Sequence, residues 1–287
     1  MSKDFTENLM KYVFLLCASI SIISIILIFY FIFEGGLPFI LEEGFGKFIL
    51  GTEWRPTASN PKFGILPMII GSLLVTLGAI IVGVPIGVLT SIFMAYFCPP
   101  GLYRFAKPAI NLMAAIPSIV YGFFALQLFV PFFRNLMGGT GMNIVTASVL
   151  LGIMILPTII GLSESSIRAV PRSYYEASVG LGATHERSVM QVVVPAAKSG
   201  IVSAIILGIG RAIGETMAVI LVTGNQPVIP TRLNQGVRTL TTNIVLEMGY
   251  ASGRHQEALI ATAVVLFVFI LIINSIFMVI KSRGDKK

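Results

Sequence analysis

A chain of 287 residues that is 55% hydrophobic and only 11% charged is too apolar for a soluble domain, where charged residues make up about 25%. Its mean hydropathy of +0.90 and its long apolar runs indicate an all-α polytopic membrane protein: roughly 20 residues cross about 30 Å of hydrocarbon, whereas barrel strands alternate over about 10. The net charge of +7 is scattered over short loops and the tail, which suits segments flanking a membrane and not a nucleic-acid-binding face.

Six apolar segments predict six transmembrane helices, at 12–33, 65–97, 108–133, 144–163, 196–223 and 258–280. The first, YVFLLCASISIISIILIFYFIF, is too long for a signal-peptide core and lacks an A-x-A site, so it reads as an uncleaved anchor. With its external loop it forms an N-terminal unit over 1–64, followed by a transmembrane domain over 65–287. Pro85 and Pro117 predict a kink and a break in the second and third segments. Cys17 and Cys98 show neither metal nor disulfide spacing. With the N-terminus inside, 12 lysines and arginines face the cytoplasm against 7 outside, so both termini are placed in the cytoplasm of a multi-pass cell-membrane protein.

That orientation makes 164–195, ESSIRAVPRSYYEASVGLGATHERSVMQVVVP with Pro195 at its end, a cytoplasmic loop with internal order. Pro171 can open a helix, Tyr174, Tyr175, Ala177, Ser178 and Leu181 give it a small and apolar face, and Gly182 can end it. Thr184 can cap a second helix with Glu186 in its first turn. The expectation is two short helices joined at a glycine.

No G-x-x-x-x-G-K-[ST] phosphate loop occurs. His185 and His255 stand isolated in sequence, and no His/Cys/carboxylate cluster has metal-ligand spacing. Neither a catalytic residue nor a metal site is assigned. Charges inside spans and the lack of cofactor motifs point to a transporter or channel subunit.

The loop resembles the EAA motif of permease subunits in ATP-binding-cassette importers: Glu176-Ala177-Ser178, three residues, Gly182, nine residues, then Val192-Val193-Val194-Pro195. Serine, valine and valine replace the usual alanine, isoleucine and leucine. The resemblance implies a type I importer permease core. Glu176, Ala177, Ser178, Gly182 and Pro195 would couple it to a cytoplasmic ATPase dimer. ATP is then used by that partner, and no cofactor is bound by this chain.

AIPSIVYGFFAL, LGATHERSVMQVVVPAAKSGIVSAIILGIGRAIGETMAV and LGTEWRP are similar to the phosphate-specific importer permeases of the PstC type. That implies a PstA-like permease partner, an extracytoplasmic phosphate-binding protein and a phosphate path through the membrane lipid, with no nucleic-acid partner. Competing readings are a permease for molybdate or sulfate, and a channel or scaffold without ATP coupling. Within GRAIGETMAV, residues 210–219, Arg211 and Glu215 are four apart and so share a helix face, while Gly210 and Gly214 form a G-x-x-x-G for close helix approach. Two readings of the charges stand open. They form an ion pair that packs the helix, or Arg211 meets the anion with its planar fork while Glu215 and Thr216 stand beside it on the path. Thr223, Asn225, Arg232, Arg238 and Arg254 are further polar candidates towards the last external loop.

Overall fold

The computed structural model describes residues 3–284; Lys286 and Lys287, which enter the charge count above, lie outside the described residues. Helix α1 (Lys3–Glu43) runs ten residues beyond the predicted end of the first span. After α2 (Phe45–Leu50) a short hairpin pairs β1 (Trp54–Arg55) antiparallel with β2 (Lys62–Phe63), Trp54 opposite Phe63. α3 (Leu66–Ile92) continues into a wider π turn, Phe93–Phe97. α4 (Pro100–Ala115), α5 (Ser118–Met137) and α6 (Ile144–Arg168) follow. Next come α7 (Arg172–Gly180) and α8 (His185–Ser188), the latter passing through a second π turn (Val189–Val193) into α9 (Val194–Ala196). The chain ends with α10 (Lys198–Gly214), α11 (Met217–Val222), α12 (Leu240–Met248) and α13 (Arg254–Gly284).

Among the described residues five helices are long and apolar enough to cross a membrane: α1, α3 with its π turn, α5, α6 and α13. The sixth span corresponds to a bent pair, His185–Ala196 and α10, which meet at 68° and together are long and apolar enough to count as one span. Two predicted segments differ from expectation in an informative way. The third is not one helix from 108 but two, because Ile116 and Pro117 are extended, with ψ of 127° and 140°. Proline disfavours the helical region for the residue before it and has no N–H to donate. Tyr121 ties the two halves together, its hydroxyl donating to the Met113 carbonyl at 2.9 Å. The fifth segment breaks at Glu215 (ψ 129°) and Thr216 (φ −122°), so α11 is a separate short helix.

Small residues decide how closely the central helices approach. α3 lies along α6, and a Cβ built on Gly83 would sit 2.7 Å from the Gly152 carbonyl oxygen; on Gly87, 2.8 Å from Ile159 Cγ2. Without lipid-excluding hydrophobic gain between helices, such close backbone approach and the dispersion contacts it permits hold a bundle together. α10 joins α6 in the same way, but not through the predicted pair of glycines. Gly214 has no neighbour within 4 Å, and a Cβ on Gly210 would meet only Asn274 Oδ1 at 4.0 Å. The buried small stripe of α10 is Ala204, Gly208 and Ala212, and a Cβ on Gly208 would lie 2.9 Å from Ile159 Cγ1. Two residues of offset turn a helix by about 200°, so the packed face and the 210/214 face point apart.

α1 packs against α13, with the Phe29 and Phe267 ring centroids 4.4 Å apart. Its last turns enter a second core with Phe48, Trp54, Phe63 and Leu259. One end of the bundle therefore carries the hairpin, the 138–143 turn and the 223–253 segment; the other carries α4 and the 169–197 segment. Gly83→Val is expected to lower stability by about 1–3 kcal/mol through overpacking. Gly161→Ala, where no atom lies within 4 Å, should not. Thermal unfolding of the purified variants reads the difference.

Candidate functional site

The 169–197 end is built as two short helices around Gly182. α7 ends in a Schellman arrangement: Ala183 N–H donates to the Ser178 carbonyl at 3.2 Å and Gly182 N–H to Val179 at 2.9 Å. Closing that motif requires the left-handed backbone that Gly182 adopts at φ +89°, which a side chain would strain. Thr184 Oγ1 accepts from Arg187 N–H at 3.3 Å and caps α8. Glu176 and Ala177 face outward, Ser178 is half-buried, and Pro195 is exposed at the start of the bend into α10. Glu176 holds Arg172 at 3.3 Å one turn away. At the tip Leu181 is 91% exposed, beside the exposed Val179 and Tyr174.

This hairpin of helices is fastened to the bundle. Tyr175 turns inward, its hydroxyl 2.8 Å from His185 Nδ1. The His185 ring packs on Phe97 and Tyr96, with centroids 4.9 and 6.3 Å away. Beneath them Ile92, Ile167, Val189, Val193 and Ile201 form one buried cluster. His185, isolated in sequence, is thus the joint between α7, α8 and the π turn that ends α3. Proximity in the chain gave no sign of it, because Phe97 lies on a different span.

The paired charges are separated. Gly214 is the last residue of α10, so Arg211 and Glu215 do not share a helix face. Glu215 instead turns its carboxylate to α11, Oε1 accepting from Ala218 N–H at 3.1 Å, and its carbonyl accepts from the Thr241 hydroxyl at 3.2 Å. Thr216 Oγ1 donates back to the Gly214 carbonyl at 3.3 Å. Both residues therefore satisfy backbone groups freed by the break. Arg211 is left exposed, about 20 Å along α10 from Lys198, and lines a cleft of about 600 Å3 with Ser203, Gly210 and Asn274. Among the described residues it makes no ion pair. Asn274, a polar residue within the apolar run of α13, escaped the sequence reading; a lone amide in FILIINSIF was the available signal.

Two further clusters bind buried carboxylates. At the hairpin end Glu247 accepts from Trp54 Nε1 at 2.9 Å, lies 2.8 Å from His255 Nε2, and pairs with Arg238. Arg238 also donates to Asn243 Oδ1 and to the Asn225 carbonyl, each at 3.0 Å. At the opposite end Glu164 receives Lys107 at 2.7 Å, Arg168 at 2.9 Å and the Tyr103 hydroxyl at 2.8 Å. That hydrogen bond, with burial adding to it, pushes the Tyr103 phenol above its usual pKa and keeps it a donor. Of the other polar candidates, Thr223 bonds the Val219 carbonyl and Asn225, and Arg254 pairs with Glu42 and Glu43.

A model of the binding-protein-dependent transport system inner membrane component matches residues 87–285. The chain belongs to that family. Among relatives of this permease, the Bacillus subtilis (strain 168) protein named "Probable ABC transporter permease protein YqgH" is 38% identical over 82% of this chain and 77% of its own. The Pasteurella multocida (strain Pm70) phosphate transport system permease protein PstC is 33% identical over 84% of this chain and 81% of its own. The Haemophilus influenzae PstC protein is 34% identical over 84% and 83%. The solved MetNI methionine ABC transporter, in an inward-facing conformation, shares the fold with a TM-score of 0.57 at 22% identity, over 77% of this chain and 94% of that one.

The permease carries a single tryptophan, and that tryptophan touches Glu247. Glu247→Ala would take the anion from Arg238, whose side chain is only 14% exposed, a change that costs at most about 3–5 kcal/mol. A fall in thermal stability and an altered Trp54 emission spectrum are expected together; unchanged emission would separate Trp54 from this cluster.

Proposed function

We propose that this permease is one of two membrane subunits of an ATP-driven phosphate importer and forms half of the translocation path. The observation that carries the reading is the match to PstC proteins over more than four fifths of the chain, joined to an arginine left exposed inside a span. The partners are a PstA-like permease, a cytoplasmic ATPase dimer that uses the ATP, and an extracytoplasmic phosphate-binding protein. Both termini are cytoplasmic in this reading, and residues 1–64 add an anchor unit to a permease domain of 65–287.

Coupling falls to α7 and α8. Glu176, Ala177, Ser178 and Leu181 meet the ATPase, and Gly182 sets the angle between the two short helices. The Tyr175–His185–Phe97 joint passes displacement to α3, and Pro195 marks the turn into α10. Because packed interfaces transmit rigid-body motion better than they deform, closure of the ATPases would rotate these helices as a block. On the path, Arg211 offers a fixed cation whose planar fork matches two oxygens of a tetrahedral anion. In this reading Glu215 and Thr216, beyond the helix break, stand further along the path, where Glu215 limits how long an anion stays.

ATP-dependent uptake of labelled phosphate by the reconstituted complex tests the assignment, in competition with molybdate and sulfate. Entry of molybdate without phosphate would overturn it. Arg211→Gln is expected to abolish transport while assembly persists, since among the described residues the side chain makes no ion pair; size-exclusion of the purified complex checks assembly. Gly182→Pro forces φ near −65° where +89° is required, so ATP hydrolysis should continue uncoupled from uptake. Normal uptake in that variant would remove the coupling role from the segment.

A further inference from the structure

We infer that this chain holds the headgroup of an anionic phospholipid in the cleft between α4, the π turn after α3, and α6. The inference rests on the chain's place in a membrane and not on the identity of its cargo. The cleft encloses about 570 Å3 and is lined by Tyr96, Cys98, Tyr103, Arg104, Lys107 and Arg168. Its charge is unbalanced. Glu164, 1% exposed, is the carboxylate against the cleft, and Lys107, Arg168 and the Tyr103 hydroxyl occupy its two oxygens. Two of the three cationic charges lining the space are therefore uncompensated.

The cations are also held in place. Arg168 donates to the Met94 carbonyl at 2.7 Å and stacks over the Tyr103 ring at 4.8 Å, so little ordering remains to be done when an anion arrives. Arg104 stands exposed at the rim, outside the Glu164 cluster.

Beside this cleft the outer face of α4 is apolar and uncovered. Leu102, Phe105 and Leu112 fall on one helical stripe, with Phe105 77% and Leu112 68% exposed. A helix with basic residues flanking such a stripe lies in the membrane interface, and basic pockets between spanning helices at that depth take anionic headgroups. A phosphodiester group fits the cationic cleft while its acyl chains cover Leu102 and Phe105. Free phosphate shares the charge chemistry but leaves the stripe bare, which is why the lipid is the occupant favoured. Arg168 also lines the adjoining cleft under Tyr175 and His185, so an occupied headgroup site would brace the segment that carries α7 and α8.

The test uses the delipidated whole complex in detergent, with phosphatidylglycerol, phosphatidylcholine or inorganic phosphate added. Retention is read by native mass spectrometry and stabilisation by thermal melting. Phosphatidylglycerol should be retained and should raise the melting temperature; phosphatidylcholine should do neither. Arg104→Gln should weaken phosphatidylglycerol about fivefold, as loss of one basic contact near a membrane surface does, and Arg104→Lys should restore it. Equal retention of both lipids would overturn the inference, as would Arg104→Gln binding phosphatidylglycerol as well as the native chain. Stabilisation by inorganic phosphate that also displaces the lipid would make the cleft a free-anion site and overturn it too. If Arg104→Gln does not assemble, the comparison of the two lipids on the native complex decides alone.

Discussion

An unpaired peptide group in hydrocarbon costs several kcal/mol, and the rest of this structure is arranged around that cost. Helices can stop inside the bundle only where something else takes over their hydrogen bonds. At Ile116–Pro117 the Tyr121 hydroxyl reaches back to Met113. At Glu215–Thr216 three side chains share the work: Glu215 caps Ala218, Thr216 bonds Gly214, and Thr241 from α12 covers the Glu215 carbonyl. A break so fully satisfied is a stable feature, and it turns the two charges of GRAIGETMAV away from each other.

The same constraint governs where charge resides. Buried carboxylates are found near the two ends of the bundle, each with several donors: Glu164 beside α4 and Glu247 beside the hairpin. Both knit together segments far apart in the chain, so they are structural ties as much as charges. Arg211 is different, exposed in the last turn of α10 and, among the described residues, without a carboxylate partner. Since an unpaired arginine is disfavoured in lipid, its position fits a face that meets water, anion or a partner subunit.

Between the ends, close backbone contact of α3, α6 and α10 makes a rigid centre. Gly83 and Gly87 of α3 and Gly208 of α10 converge on Gly152 and Ile159 of α6. The aromatic joint at Tyr96, Phe97, Tyr175 and His185 then extends that rigid body to the exposed Leu181 tip. A push at the tip has a continuous packed route into the spans.

The sequence by itself determined features that depend on neighbours within a turn or two. Span number follows from apolar run length, and the α7–Gly182–α8 turn follows from one glycine and one capping threonine. The family resemblance followed from residues at fixed spacing in the same segment. Tertiary structure decided what depends on facing and on distance. Gly210 and Gly214 have the spacing of a packing motif, yet α10 buries Ala204, Gly208 and Ala212, because spacing defines a face without saying which way it points. Arg211 and Glu215 have the spacing of a pair, yet the chain leaves the helix between them. His185, His255, Tyr103 and Asn274 acquire their full setting from distant partners, Phe97, Trp54, Glu164 and Gly210, and those contacts exist only once the helices have packed.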